Sequence, residues 1–350
     1  MRLLLHIGTE KTGSTALQRY LQANRRQLAE QGVFLPNCLG EGSHRLLSTA
    51  FMRDKRQDEV TRRYGLESPT ARARWRRGLL EALSKEVEAA RAARADLFVI
   101  SSEHLQPQLR LAELVKALAS FLMPMFSSCE VLVYLRRQDE MASSLYSTKL
   151  RAGYAPQQRL PLDQVFGNPS RLPDYFDFES LLNRWGRAFG EQSVRTVRYT
   201  QACSGPGGIV GDFADRLGVS VPAKTSEESY ATANASLSAI SQAVLAAFNQ
   251  RVGTTSDARD ASRLQRNALV NYLEREFPGE APRIPPRQAE AFYSFFRASN
   301  TRVAHRWFGE ASLFDEVTEM SDAADTQPSA EEVARILTRF ESLQDKSGCA

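Results

Sequence analysis

The sequence predicts an α/β protein: a central parallel sheet flanked by helices, with a mostly helical C-terminal third. Three observations point there. Short apolar runs of strand length, bounded by charges or turns, recur through the first part of the chain. Stretches with helical spacing of apolar residues separate them, and strands alternating with helices form parallel sheets covered on both faces. After residue 207 the helical pattern continues alone.

Taken in order, RLLLHI (2–7) is the first strand and an apolar-periodic helix follows over 14–30. GVFLP (32–36) is a shorter strand, and a helix covers about 72–94. LFVIS (97–101) is followed by a helix over 111–122, and EVLVYL (130–135) by one over 138–151. A helix over 177–189 and the strand VRTVRY (194–199) complete the α/β portion. Beyond it GIVGDFADRLG, SLSAISQAVLAAFNQRVG and PRQAEAFYSFFRASNTRVAHRWFG read as helices. SDAADTQPS (321–329) reads as a linker, and Ser329 with Glu332 makes an S-x-x-E capping box for a last helix. The expected organisation is one domain over 1–320, with 321–350 as linker and C-terminal helix.

Composition excludes several classes. A net charge of +4 over 350 residues is too small for a nucleic-acid partner. Cys38, Cys129, Cys203 and Cys349 lie far apart, with neither zinc-type nor disulfide-framework spacing, so a reducing compartment is the default. The opening MRLLLHIG is too short for a signal segment, and no apolar run reaches the roughly 20 residues of a membrane span. The expected location is the cytoplasm. His6, His44, His104 and His305 share no ligand spacing, so no metal is expected. An arginine-rich stretch over 53–94, interleaved with acids, reads as a solvated helical face or as a basic flap beside an anionic acceptor.

The chemistry concentrates in HIGTEKTGSTALQRYL (6–21). A strand runs into Lys11, Thr12, Gly13, Ser14 and Thr15, and a helix begins at once. Such a loop offers unpaired backbone N–H groups and the positive end of a helix dipole to a phosphate. Gly13 permits a tight turn, the hydroxyls donate, and Lys11 brings a full charge. The lysine stands two residues before Gly13 rather than directly after it, which is not the triphosphate loop G-x-x-x-x-G-K-[ST]. Arg136 and Arg137 follow the VLVYL strand where a magnesium site would want an acid.

EKTGSTALQ resembles the 5′-phosphosulfate loop of sulfotransferases that use 3′-phosphoadenosine 5′-phosphosulfate (PAPS). VYLRRQDEMASSLYS (133–147) resembles the same family's 3′-phosphate motif, a strand ending in arginine with a serine eight residues on, which matches Arg136 and Ser144. An arginine fork at a strand tip suits a phosphate; Arg137 and Ser143 are the neighbouring alternatives. Tyr199 stands where the family has a tyrosine near adenine, and NASLS (234–238) and SNTRVAHRWFGEASLF (299–314) resemble C-terminal segments of bacterial carbohydrate-type members. The resemblance implies a P-loop NTPase-like sulfotransferase fold, PAPS as donor without a metal, and transfer to a hydroxyl on a carbohydrate or glycolipid.

Within that resemblance Lys11 is the residue expected to meet charge on the leaving oxygen. Aligned through the LFVIS strand, the family's base position falls on Glu103, with His104 its neighbour; alternation along a strand predicts that only one of them faces the reacting group. His6 is expected to be a satisfied core histidine, and His44, before an apolar helix, to lie where an acceptor approaches. The loops expected to shape the acceptor pocket are 37–70 and 152–176. The alternative readings are a small-molecule kinase with a variant phosphate loop and a non-catalytic nucleotide-binding module.

Overall fold

A computed structural model describes residues 1–156, 160, 174–220, 237–282, 284–315 and 328–347. Among them one parallel sheet is formed by β1 (Arg2–His6), β2 (Val33–Phe34), β3 (Leu97–Ser101), β4 (Cys129–Leu135) and β5 (Val194–Arg198), in the order β2-β3-β1-β4-β5. β1 is central, with Leu3 registered on Phe98 of β3 and on Cys129 of β4. The helices through the first part of the chain are α1 (Ser14–Ala23), α2 (Arg25–Glu30), α3 (Arg45–Phe51), α4 (Glu59–Arg63), α5 (Pro69–Ala92), α6 (Leu105–Gln108), α7 (Ala112–Leu122) and α8 (Gln138–Arg151). The protein is thus α/β, with a central parallel sheet flanked by helices and a helical C-terminal third.

The chain divides into two compact units: residues 1–136, 172–231 and 297–314, and residues 137–171, 232–296 and 315–350. The first holds the sheet. Leu4, Val99, Leu132, Tyr134 and Val197 pack under Leu17, Tyr20 and Leu21 of α1 and under Ile209, Val210, Phe213 and Leu217 of the helix Gly208–Leu217. Side chains alternate along a strand, so Leu3, Leu5, Phe98, Ile100, Val131 and Val133 are buried on the opposite face. There the helix Phe178–Phe189 packs on β4 and β5 and against α7. Burial on both faces is why these strands read as continuous apolar runs.

The second unit is helical. Leu150 of α8 joins Val244, Leu245 and Phe248 of the helix Ala239–Val252, Leu269 and Leu273 of the helix Arg263–Glu276, and Ile336, Leu337 and Phe340 of the helix Ala330–Ser347. The last helix has its apolar stripe built into this core. Ser329 Oγ accepts from the Glu332 N–H at 3.1 Å, the cap expected of the S-x-x-E motif. Residues 321–327 of the expected linker lie outside the described residues, as do 234–236 of NASLS and most of the 152–176 loop.

Two element boundaries differ from the sequence expectation for local reasons. The helix over 14–30 breaks at Asn24 (φ −106°, ψ 13°), whose side-chain amide donates back to the Tyr20 carbonyl at 2.9 Å. The strand over 194–199 stops at Arg198, and Tyr199 opens the helix Tyr199–Ser204. No helix among the described residues is long and apolar enough to cross a membrane.

Candidate active site

The order β2-β3-β1-β4-β5 has consequences for ligand binding. The chain reaches β3 on one side of β1 and then crosses to β4 on the other, which opens a crevice at the carboxyl ends of the central strands. The loop after β1 lies there. Gly8 has φ +100°, and a Cβ on it would stand 3.2 Å from Glu103 Cα and 3.1 Å from the Glu10 nitrogen, so only glycine lets the exits of β1 and β3 approach this closely. The Thr9 N–H and hydroxyl both donate to the Tyr134 carbonyl at 3.0 Å, fastening the loop to β4. The Thr12 hydroxyl donates to the Thr9 carbonyl at 2.6 Å.

Lys11 and Gly13 both take left-handed backbone conformations, at φ 67° and 77°. Gly13 is the N-cap of α1 and has no side chain with which to cap the first-turn N–H groups of the helix. Thr15 is exposed. Ser14 is only 5% exposed, and its hydroxyl has no hydrogen-bond partner among the described residues. A buried hydroxyl left unsatisfied costs about 1–3 kcal/mol. Here it stands at a helix N-terminus beside a lysine, the place where an anionic oxygen would satisfy it.

Arg136, at the tip of β4, donates through Nη1 to the Lys11 carbonyl at 3.1 Å, and its guanidinium stands 5.2 Å from the centre of the Tyr199 ring. Tyr199 in turn reaches Gly13: its Cε2 would be 3.6 Å from a Cβ there. Of the two arginines the sequence leaves open, Arg136 is the one on the loop. Arg137 is buried within the second unit, with its Nε on Asp139 at 2.8 Å, an Nη on the Asp315 carbonyl at 2.7 Å, and its guanidinium 4.2 Å from the Tyr293 ring centre. Ser144 lies on α8, in that second unit.

Beyond β3, the Glu103 carboxylate accepts from Gln18 Nε2 of α1 at 2.5 Å and lies 3.7 Å from His104 Nε2. The alternation expected of strand neighbours fails because β3 ends at Ser101; residues 103 and 104 sit in the turn that enters α6 and point to the same place. Burial lowers the proton affinity of the His104 imidazole, with the Glu103 charge opposing, so the ring is neutral near pH 7. A second network ties the loop down. The Glu10 N–H donates to Gln106 Oε1 (3.0 Å), Gln106 Nε2 to the Tyr175 carbonyl (2.9 Å), and the Tyr175 hydroxyl to Glu10 Oε2 (2.5 Å). Burial, then the Glu10 charge, raises the Tyr175 phenol far above its ordinary range, so it keeps the proton that it donates to Glu10.

The two remaining sequence candidates are placed elsewhere in the first unit. His6 is buried against Tyr134 and Phe213, with Nδ1 2.8 Å from the Ser101 hydroxyl; Nε2 has no partner among the described residues, so it is a core histidine satisfied on one side. His44 is buried. Its N–H donates to the Ser101 carbonyl at 3.0 Å and its Nδ1 accepts the Ser101 N–H at 2.9 Å, extending the sheet edge beside β3.

Sequence reasoning missed Gln18, Gln106 and Tyr175. Gln18 alone carried a signal, a long polar residue inside the apolar stripe Leu17–Tyr20–Leu21. No family model matches the chain. An uncharacterized protein of Archaeoglobus fulgidus is 27% identical over 189 residues, 53% of this chain and 47% of that protein. The chain thus spans about half the length of the curated relative it matches. A sulfotransferase from Alicyclobacillus acidocaldarius superposes with a TM-score of 0.41 at 15% identity, over 77% of this chain and 94% of that one.

Proposed function

We propose that this chain is a sulfotransferase that moves a sulfuryl group from PAPS to an acceptor hydroxyl, with a carbohydrate or glycolipid as the acceptor class. One observation carries the reading: the buried Ser14 hydroxyl, without a partner among the described residues, and Gln18, which donates to the Glu103 carboxylate, stand one turn apart on α1. An anion site beside a carboxylate is what donor and base require. The motif resemblance of 10–18 and 133–147 supplies the identity of the donor.

When bound, PAPS supplies the sulfuryl group: its sulfur–oxygen bond to the phosphate breaks as a bond from sulfur to the acceptor oxygen forms, and 3′,5′-adenosine bisphosphate (PAP) departs. The first-turn N–H groups of α1 and the Ser14 hydroxyl would hold the 5′ end. Arg136 and Tyr199 would hold the nucleotide. Lys11 offsets charge on the leaving oxygen, an interaction stronger in the transition state than before it. Glu103 takes the acceptor proton onto a carboxylate oxygen, with neutral His104 at its side.

The test is thermal. PAP without magnesium should raise the melting temperature, since a ligand bound only by the native state stabilises it. Arg136→Ala should weaken PAP binding by about 1.5–3 kcal/mol, the scale of a charge-assisted hydrogen bond. Equal responses to 5′-AMP and PAP would remove the 3′-phosphate from the argument, and a response to ADP with magnesium alone would favour a kinase.

A further inference from the structure

We propose that Gln18 is the positioning residue for the base, fixing which oxygen of Glu103 takes the proton; this rests on the sulfotransferase reading. Gln18 is 6% exposed and lies on the buried face of α1 with Leu17, Tyr20 and Leu21. A primary amide at such a position costs stability unless it is bonded, and its Nε2 donates to Glu103 Oε2 at 2.5 Å. That bond occupies Oε2. The other oxygen, Oε1, is the one 3.7 Å from His104 Nε2 and is left to accept the acceptor proton.

The same helix carries the donor hydroxyl. Ser14 and Gln18 are four residues apart on α1, hence one turn apart on one face, and both are buried. One rigid element therefore sets the orphaned Ser14 hydroxyl and the orientation of the base together. A carboxylate free to rotate would present the wrong oxygen for part of the time; an amide from α1 removes that freedom.

The experiment uses the full chain and ³⁵S-labelled PAPS, following release of inorganic sulfate with water as the acceptor, alongside PAP-induced thermal shifts. Gln18→Met keeps the length and apolar packing and removes the donor. It should lower kcat by about 10- to 100-fold, part of the 10²–10⁴ that a positioned base supplies, while the PAP shift stays as in wild type. Combined with Glu103→Gln it should add nothing, because both changes disable one unit. Gln18→Glu, able to donate only while the carboxyl pair retains a proton, should lose activity as pH rises where wild type does not. A wild-type kcat in Gln18→Met, a further loss in the double variant, or a lost PAP shift each overturns the positioning role. A wild-type protein that neither binds PAP nor releases sulfate instead overturns the sulfotransferase reading, and the proposal falls with it.

Discussion

Lys11 holds its charge on a left-handed backbone, an uncommon state for a residue with a Cβ, and its carbonyl is tied down by Arg136. Its conformation is thus imposed by contacts to both sides of the loop, which suits a group whose charge must meet one oxygen. Replacing it with alanine should lower sulfate transfer by roughly 10²–10³, as for loss of one transition-state donor, with PAP binding affected less. A risen KM at unchanged kcat would make it a binding residue only. The base is separable in the same assay. Glu103→Gln should keep PAP binding and abolish most transfer, while His104→Ala should retain much of it. The reverse pattern would hand the proton to His104, which is near enough to Glu103 Oε1 to be oriented by it.

At the scale of elements, α1 is the part on which the site depends, and Gly13 is where it begins. An alanine there would be forced to φ near 77°, and its Cβ would come within 3.1 Å of Ile209 Cγ2 and 3.6 Å of Tyr199 Cε2. The backbone penalty alone is about 1–2 kcal/mol. Gly13→Ala should lower the urea midpoint accordingly and shrink the PAP-induced shift, because the first turn of α1 must move; an unchanged PAP shift would mean that the nucleotide does not use that turn. What the sequence made legible follows the same division. The strands, α1 and the loop between β1 and α1 were readable because strand, turn glycine and helix start are consecutive. Arg136 was readable as a strand-tip arginine, but choosing it over Arg137 required knowing that Arg137 is engaged by Asp139, Asp315 and Tyr293. Gln18 on Glu103 spans 85 residues, and the Tyr175 contact to Glu10 spans 165, so no local pattern announces either. Nor does one announce the pairing of His44 with Ser101, a sheet-edge contact made by a residue outside any strand.

For the whole molecule, acid should act through two buried imidazoles. Burial holds His6 and His44 down to about 4 from an ordinary 6.5, with Arg25 adding to the effect at His44 and Glu103 opposing it at His6. The unfolded chain binds more protons between those values, so their contribution is complete above about pH 6.5. It is lost as pH falls from there through about 4, at up to about 1.36 kcal/mol per pH unit for each imidazole. Urea midpoints should fall from pH 7 to pH 5, and His44→Gln should flatten that slope; a midpoint that rises toward pH 5 would contradict the sign. The strand order bears on a different matter, the sequence of events in synthesis. β1 leaves the ribosome before the two strands that flank it, which begin only at residues 97 and 129. Contacts this distant along the chain are slow to close. The apolar LLLH segment must wait unpaired while α1 to α5 are made, exposed to chaperones and to other nascent chains. The loop behind it gains its fastening to Tyr134 only when β4 arrives, so its conformation is fixed late.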